Sequence, residues 1–285
     1  MTPPFGLPFG RPPRSEHVDL HLHSTCSDGS LSPEELVAQA QRLGLGAIAI
    51  TDHDTTVGVG RARRAAQAPL EVVAGVELSI SEGKSDVHLL LYGCDLDPDG
   101  LEQTLKRFRE ARERRAEEMV ARLNGLGVEV TMADVRLLAG HGSIGRPHLA
   151  QALVLNGQVE TSQQAFERWL GHGRPAWVPK EKLSLEEAAA LARTHGGLAA
   201  LAHPGTLHRD DLLPDLRARG VAGLEVWHSR HGEEATKYYL AMARRFGLVA
   251  TGGSDYHGAR TPNAALGTPP VALSVLHALR AALPG

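Results

Sequence analysis

Short apolar runs alternate along the chain with longer segments in which apolar residues recur at helical spacing. The apolar runs predict strands, because each has the length and the bounding residues of a buried strand. The predicted strands cover residues 18–25, 47–54, 70–80, 87–93, 198–205, 223–229 and 248–257. Strands and helical segments in alternation predict a mostly parallel sheet, either open or closed into a barrel.

The helical segments carry their own start and stop signals. In the first, Ser32 can cap the helix, Pro33 suits its first turn and Gly44 ends it. Further helical patterns follow most of the other strands. They cover residues 59–68, 184–196, 209–219, 232–246 and 270–282.

The fourth predicted strand departs from the alternation. Only the stretch SEGKSD, residues 81–86, separates it from the third strand. Such a short loop cannot carry a parallel crossover, so the two strands should form an antiparallel pair. That pairing places His88, at the start of the fourth strand, beside Glu77, late in the third.

A long stretch without a strand follows residue 100. Its residues 101–127 form an amphipathic helical pattern, and three shorter helical patterns cover 131–139, 147–156 and 161–170. We expect a small helical domain inserted into an α/β body, without autonomy of its own. The expected parts are a flexible tail at 1–16, a barrel domain at 17–100 and 181–285, and the helical insertion at 101–180.

The composition is that of an ordinary soluble globular protein. A net charge of −3 gives no global basic field, which argues against binding to duplex DNA. The two cysteines form no disulfide framework and predict a reduced, cytoplasmic setting. No stretch approaches the ~20 apolar residues of a membrane span, and residues 1–16 lack the apolar core of a signal peptide. We therefore expect no membrane association, and nothing indicates an obligatory protein partner.

Histidine is unusually frequent, with fifteen residues. In HVDLHLHSTCSDGS, residues 17–30, His21 and His23 lie two positions apart on a strand, so their side chains point to the same face. The C-terminal ends of parallel barrel strands gather at one rim, where function concentrates. The candidate metal ligands at this rim are His21, His23, Asp28, His53, Glu77, His88, His203, Asp255 and His257.

A single histidine in a strand is more often a hydrogen-bonded structural residue than a ligand. That explanation fails for the whole set, because buried unpaired carboxylates are costly and neighbouring imidazoles provide no charge balance. Divalent cations satisfy both kinds of group. Imidazoles and carboxylates without cysteine favour Zn, Mn or Fe, and so many ligands fit two or three ions. Ions spaced about 3.5–4 Å apart are typical of phosphoester hydrolysis.

Two further motifs indicate contacts with a substrate. In GSIGRPHLA, where Ser143 or Gly145 precedes the helix, Arg146 and His148 lie at a helix N-terminus, where phosphate can bind. The alternative for Arg146 is a surface residue that begins an insertion helix. In EVWHSRH, either His228 or His231 could contact the scissile phosphate or protonate the leaving group, or both could be capping or solvated residues.

These motifs, with AIAITDHDT, GVELS, VHLLLYG, LAHPG and GGSDYHG, resemble the PHP (polymerase and histidinol phosphatase) superfamily, in its bacterial branch of stand-alone nucleotide phosphoesterases. The resemblance covers residues 17–270 and implies a distorted (β/α)7 barrel with three metal ions at the strand ends. Asp52 and Asp54 would be candidates to orient the imidazoles, although each could equally be a turn residue or a cap. The implied ligand sets are His21, His23, Asp255 and a bridging Glu77 for the first ion, His88 and His203 with Glu77 for the second, and Asp28, His53 and His257 for the third.

The resemblance implies a metal-dependent phosphoesterase that releases the 3′-phosphate of nucleoside 3′,5′-bisphosphates. A hydroxide bridging two ions would attack phosphorus, and the third ion would bind a phosphate oxygen. Stepwise 5′-to-3′ trimming of short single-stranded RNA fits the same site. Two alternatives stay open: a phosphatase for a non-nucleotide metabolite such as histidinol phosphate, and a catalytically silent, metal-stabilised module that serves a partner.

Overall fold

The computed structural model describes residues 16–83, 85–96, 100–140, 144–179, 183–260 and 264–284, which leaves the predicted tail, except Glu16, and the possible cap Ser143 outside the described residues. The strands are β1 (His17–Leu22), β2 (Ala47–Ile50), β3 (Glu71–Glu82), β4 (Ser85–Tyr92), β5 (Leu198–Leu201), β6 (Gly223–His228), β7 (Val249–Gly253) and β8 (Val271–Ala272). The α-helices are α1 (Pro33–Arg42), α2 (Val57–Ala65), α3 (Leu101–Gly125), α4 (Met132–Ala139), α5 (Arg146–Leu155), α6 (Ser162–Ala165), α7 (Leu185–Thr194), α8 (Pro204–Leu207), α9 (Glu233–Phe246) and α10 (Leu273–Ala281).

The strands form one sheet in the order β7-β6-β5-β4-β3-β2-β1-β8. Parallel ladders join β1 to β2, β2 to β3, β5 to β6 and β6 to β7. The end of β1 also meets the segment after β7, because the Asp255 N–H donates to the His21 carbonyl at 2.9 Å. The His23 N–H donates likewise to the Tyr256 carbonyl at 3.1 Å. These bonds almost close the sheet into a barrel, which confirms the predicted α/β barrel fold.

The predicted antiparallel pairing of the third and fourth strands is confirmed. In the β3/β4 ladder Ser79 lies opposite His88. The next strand, β5, also runs antiparallel to β4. This follows from the hairpin: β4 reverses the chain direction, so a strand that resumes the original direction must oppose it.

One strand was not predicted. The sequence pattern gives a helix over 270–282, but Val271 and Ala272 instead pair with Val18 and His17 as the antiparallel edge strand β8, and α10 begins only at Leu273. A strand of two residues carries no period-2 alternation, so the helical pattern around it dominates.

Two predicted helices also differ in kind. Over 209–219 the structure has a 3-10 helix at Asp210–Asp215 that contains Pro214, which lacks the N–H that a continuous α-helix needs. The helix predicted over 161–170 begins as α6 and continues as a π-helix at Phe166–Leu170. The predicted start of α1 is confirmed, since the Ser32 hydroxyl accepts the Glu35 N–H at 3.2 Å.

The helices of residues 101–179 enclose an apolar cluster of their own. That cluster runs from Ala116 to Val178 and contains no barrel residue. Helix α3 spans both parts, because Leu101 and Leu105 at its start pack in the barrel's apolar cluster, whereas Leu123 packs among the helices. The domain boundaries themselves stay a prediction.

Among the helices of the described residues, none combines the length and the apolar character that crossing a bilayer requires.

Candidate metal centre and phosphate pocket

The predicted ligands converge on Glu77, a nearly completely buried residue near the middle of β3. Its Oε1 lies 2.7 Å from His88 Nδ1 and 3.1 Å from His203 Nε2. Its Oε2 lies 3.0 Å from His23 Nε2 and 3.2 Å from His21 Nε2. His53 Nδ1 also lies 3.4 Å from Oε2. One carboxylate therefore faces five imidazoles, which come from β1 and β4 and from the segments that follow β1, β2 and β5.

Asp28 occupies the other side of the cluster. Its Oδ1 lies 3.3 Å from His257 Nε2, and its Oδ2 lies 3.7 Å from His53 Nε2. The rings of His23 and His257 stack between the two sides, with centroids 4.0 Å apart. The loop after β1 and the turn after β7 are thus joined through their candidate ligands.

The predicted ligands other than His203 fall into three groups, and within each group the candidate ligand atoms all lie within 4.8 Å of one another. The groups are His21, His23, Glu77 and Asp255; His23, Asp28, His53 and His257; and His53, Glu77 and His88. The first matches the set implied for one ion, and the second contains the set implied for another. In the third, His53 stands where the resemblance places His203, although His203 also reaches Glu77.

The backbone is left-handed at two of the predicted ligands, with φ of 30° at His203 and 55° at Asp255. Such a conformation costs a non-glycine residue about 1–3 kcal/mol and persists where surrounding contacts fix it. The Asp255 N–H is bonded to the His21 carbonyl, and the His203 N–H donates to Glu225 Oε2 at 2.6 Å. Contacts within the cluster thus hold the strained backbone in place.

Burial and neighbouring charge set the protonation states of the cluster. Burial alone would raise the pKa of Asp255, but the charges and hydrogen bonds of His21, His228 and His23 together outweigh it and hold that pKa well below its ordinary value. Burial lowers the pKa of His53 to about 3, so its ring is neutral at neutral pH. Ionised Asp255 and neutral His53 are thus in forms that bind metals. Despite burial, hydrogen bonds to Asp255 and Glu77 raise the pKa of His23 to about 10, so metal binding at that ring would release a proton.

The two aspartates expected to orient the imidazoles make their hydrogen bonds elsewhere. Asp52 accepts bonds of 2.7 Å from the Ser24 N–H, the Ser24 hydroxyl and the Ser27 hydroxyl, and so holds the loop that carries Asp28. Asp54 forms an ion pair with Arg112. Of the two roles left open for these aspartates, their contacts favour a structural one in the loops, since their oxygens face loop hydroxyls and a guanidinium.

Glu225, which the sequence analysis missed, bonds the imidazole of one predicted ligand and the backbone of another. It is fully buried on β6, and its Oε1 lies 2.9 Å from His21 Nδ1. Its other oxygen accepts the His203 N–H. A carboxylate within the otherwise apolar run GLEVW was the available signal, because a buried unpaired acid is costly.

The two candidate catalytic histidines have different surroundings. His228 Nδ1 accepts the Arg230 N–H at 3.1 Å, so the proton of a neutral ring lies on Nε2, which is 3.3 Å from Asp255 Oδ2. In His231, Nε2 accepts the Gly205 N–H at 3.1 Å and Nδ1 faces the Val226 carbonyl at 2.8 Å. His228 therefore points a donor at the cluster, whereas both ring nitrogens of His231 bond to the backbone.

A cavity of about 480 Å³ opens beside the cluster, with Asp28, His53 and His88 on one side. Arg146 lines it from the start of α5, where Nη2 lies 2.9 Å from Asp86 Oδ2. His148 also lines the cavity, and its Nδ1 accepts the Gly145 N–H at 3.2 Å. His148 thus caps the helix that presents Arg146.

Two more guanidiniums that the sequence analysis missed line the same cavity, those of Arg112 and Arg115 on α3. Burial, followed by the positive charges of Arg146 and Arg112, lowers the pKa of Arg115 to about 10, which still leaves it charged at neutral pH. Three cations around one cavity favour an anionic ligand. Their spacing of three residues within REARERR was a usable signal, but an exposed helix face has the same pattern.

An α/β barrel whose rim gathers imidazoles and carboxylates beside a cationic cavity defines a metal-dependent phosphoester hydrolase. The PHP domain family model matches residues 19–174, and the chain belongs to this family. It is 35% identical over 248 residues to the 3′,5′-nucleoside bisphosphate phosphatase of Chromobacterium violaceum, covering 85% of this chain and 87% of that protein. It is 32% identical over 250 residues to the 5′-3′ exoribonuclease Rnm of Escherichia coli, covering 84% of each.

The fold has a close counterpart among solved structures. A proposed metal-dependent phosphoesterase from Bifidobacterium adolescentis superposes with a TM-score of 0.80 at 33% identity, over 95% of this chain and 97% of that one. The likeness therefore includes the helical part as well as the barrel.

Proposed function

We propose that this protein hydrolyses the 3′-phosphate of nucleoside 3′,5′-bisphosphates. The observation that carries the proposal is that metal-binding groups and three guanidiniums line one cavity. A substrate with two phosphates would place one at the metal centre and the other at the arginines. The name of the Chromobacterium violaceum relative supports this substrate class.

The chemistry of the cluster fits divalent cations. The Nδ1 atoms of His23 and His53 are buried and make no hydrogen bond to any described residue. Buried nitrogens without a hydrogen bond are costly unless an ion occupies their lone pairs. We propose two to three ions of Mn²⁺, Zn²⁺ or Fe²⁺. The ligands would be His21, His23, Asp28, His53, Glu77, His88, His203, Asp255 and His257.

Bound ions would supply an activated water nucleophile and charge neutralisation for phosphoester hydrolysis. The side chains do the rest. Arg112, Arg115 and Arg146 bind the 5′-phosphate through charge-assisted hydrogen bonds and so fix the 3′-phosphate at the cluster. His228 donates its Nε2 proton toward the leaving 3′-oxygen or a phosphate oxygen, since that nitrogen already faces the cluster. His231 has a structural role, because its ring connects the backbone of Gly205, after His203, to that of Val226 on β6.

A second activity, 5′-to-3′ trimming of short single-stranded RNA, uses the same geometry. The arginines would hold the 5′-terminal phosphate, and the next phosphodiester would lie at the metal centre. The exoribonuclease relative in Escherichia coli supports it. A monophosphate such as histidinol phosphate is disfavoured, because it has no second phosphate for the arginines to bind. A catalytically silent module is disfavoured because the ligand atoms converge so closely.

Phosphate release tests the proposal directly. Mn²⁺-loaded protein is assayed with adenosine 3′,5′-bisphosphate, 5′-AMP, histidinol phosphate and a 5′-phosphorylated RNA oligomer, with Asp255→Asn as the blank. We expect fast release from the bisphosphate, slow release from 5′-AMP and none in the blank. Faster turnover of histidinol phosphate than of the bisphosphate would overturn the proposed substrate class in favour of a non-nucleotide metabolite. Inactivity on all four compounds despite bound metal would support the silent module.

A further inference from the structure

The three tryptophans of the chain have different environments. Trp169 packs against the helical cluster, and Trp227 packs against the apolar clusters of the barrel. Trp177 belongs to none of the apolar clusters of the described residues, and instead it lines the cavity beside the metal centre. Trp177 is only half-buried, so part of its large aromatic surface is available to a ligand in the cavity.

The segment around Trp177 is fixed on both sides. Ala176 and Val178 are buried in the helical cluster. The Trp177 carbonyl accepts a hydrogen bond of 2.7 Å from Arg122 Nη1, and the Val178 carbonyl accepts one of 2.8 Å from Arg115 Nε. The indole is therefore presented to the cavity by an anchored backbone.

A second ring extends this aromatic surface. His172 also lines the cavity, and its ring centroid lies 4.6 Å from that of Trp177 at an interplanar angle of 52°. His172 is exposed and lies between Gly171 and Gly173, the latter with φ of 71°. The cavity thus has three chemically distinct walls: metal-binding groups, guanidiniums and flat aromatic rings.

We propose that Trp177, with His172 beside it, is a stacking platform for the nucleobase of the substrate. This inference rests on the proposed function, which assigns two walls of the cavity to the two phosphates. The base is the remaining part of such a substrate, and its apolar face matches an aromatic ring that has no core to pack in. The third wall therefore recognises the substrate as a nucleotide, whereas the other two recognise only its phosphates.

Kinetics with and without the base test the platform. The Mn²⁺-loaded enzyme is assayed with adenosine 3′,5′-bisphosphate and with abasic ribose 3,5-bisphosphate. Stacking on an aromatic side chain predicts that Trp177→Ala lowers kcat/KM for the nucleotide roughly 5- to 150-fold more than for the abasic compound. Trp177→Phe should keep most of the preference in kcat/KM for the nucleotide over the abasic compound, since phenylalanine also stacks. Equal losses on both substrates, or no loss on either, would overturn the platform.

Fluorescence gives a readout that needs no turnover. Titration of metal-free protein with 5′-AMP should quench tryptophan emission, and Trp177→Phe should abolish the quenching. Trp169→Phe is the matched control and should retain it. If the wild type hydrolyses neither compound while 5′-AMP still quenches Trp177, the platform stands and the proposed function fails. Hydrolysis without quenching and without a selective loss would leave the function standing and reject the platform.

Discussion

The carboxylate of Glu225 joins His21 to His203: one oxygen lies 2.9 Å from His21 Nδ1, and the other accepts the His203 N–H at 2.6 Å. The hydrogen bond leaves His21 Nε2 directed at Glu77 and Asp255. The backbone bond holds His203 in its left-handed conformation. A single buried group thus positions two ligands that the resemblance assigns to different ions.

Removal of Glu225 should therefore weaken more than one metal site. We expect Glu225→Ala to lower Mn²⁺ affinity about 10- to 100-fold, in line with losses of other groups that orient ligands. The Mn²⁺ affinity of Glu225→Gln should lie between those of the wild type and Glu225→Ala, because the amide keeps one acceptor oxygen for the two donors. Metal content after dialysis at graded free Mn²⁺ measures this. The control is Glu186→Gln, because Glu186 pairs with Arg219 away from the cluster. An equal loss of Mn²⁺ affinity in this control would contradict the role assigned to Glu225.

Arg146 should act on the second phosphate only. Hydrogen bonds to charged groups contribute about 1.5–3 kcal/mol, so Arg146→Ala should raise KM for adenosine 3′,5′-bisphosphate roughly 10- to 150-fold. With 3′-AMP, which lacks the 5′-phosphate, the change should be much smaller. Steady-state kinetics with both substrates measure this difference in KM. Similar increases in KM for both would place Arg146 at the reacting phosphate instead.

If Arg146 binds a substrate phosphate as proposed, Asp86 should compete for it, since the two side chains are bonded at 2.9 Å. The pair is partly exposed, with 52% of the Asp86 side chain accessible, so its strength should not exceed about 1 kcal/mol. We expect Asp86→Asn to lower KM for the bisphosphate by about two- to fivefold. In an Arg146→Ala background the same substitution should have no effect, and a rise in KM would show that Asp86 itself helps to bind the substrate.

Stability of the helical part can be tested on one helix. Leu153 on α5 is fully buried, whereas Leu155, one half-turn away, is 69% exposed. Leu153→Ala should lower the free energy of unfolding by about 2–5 kcal/mol, since it removes buried contacts and leaves a cavity. Leu155→Ala should stay within about 0.5 kcal/mol of the parent. Urea unfolding of the two variants compares them, and equal effects would contradict the packing of α5.

The sequence predicts the barrel and the location of its centre well, for identifiable reasons. A spacing of two residues on a strand directs His21 and His23 to one face, and the short loop before β4 requires the antiparallel turn that brings His88 to Glu77. These relations depend only on local geometry. Assignment of each ligand to an ion stays a prediction.

Relations that depend on tertiary contacts could not be obtained in the same way. Glu225 and Arg115 become functional candidates only when the barrel and the helices place them beside the cluster. The pattern of an acid in a strand, or of an arginine on a helix, is shared with many structural residues. Strand β8 exists only because β1 offers it an edge.

Helix α3 begins among barrel residues at Leu101 and Leu105 and ends among the helices at Leu123, with Arg112 and Arg115 between. Because both ends are buried, the helix cannot rotate relative to the barrel without exposing one apolar cluster or the other. The distance between its guanidiniums and the imidazoles of the barrel is consequently fixed by the fold. Under the proposed function, molecules whose two phosphates match that distance across a ribose would be selected before any bond is broken.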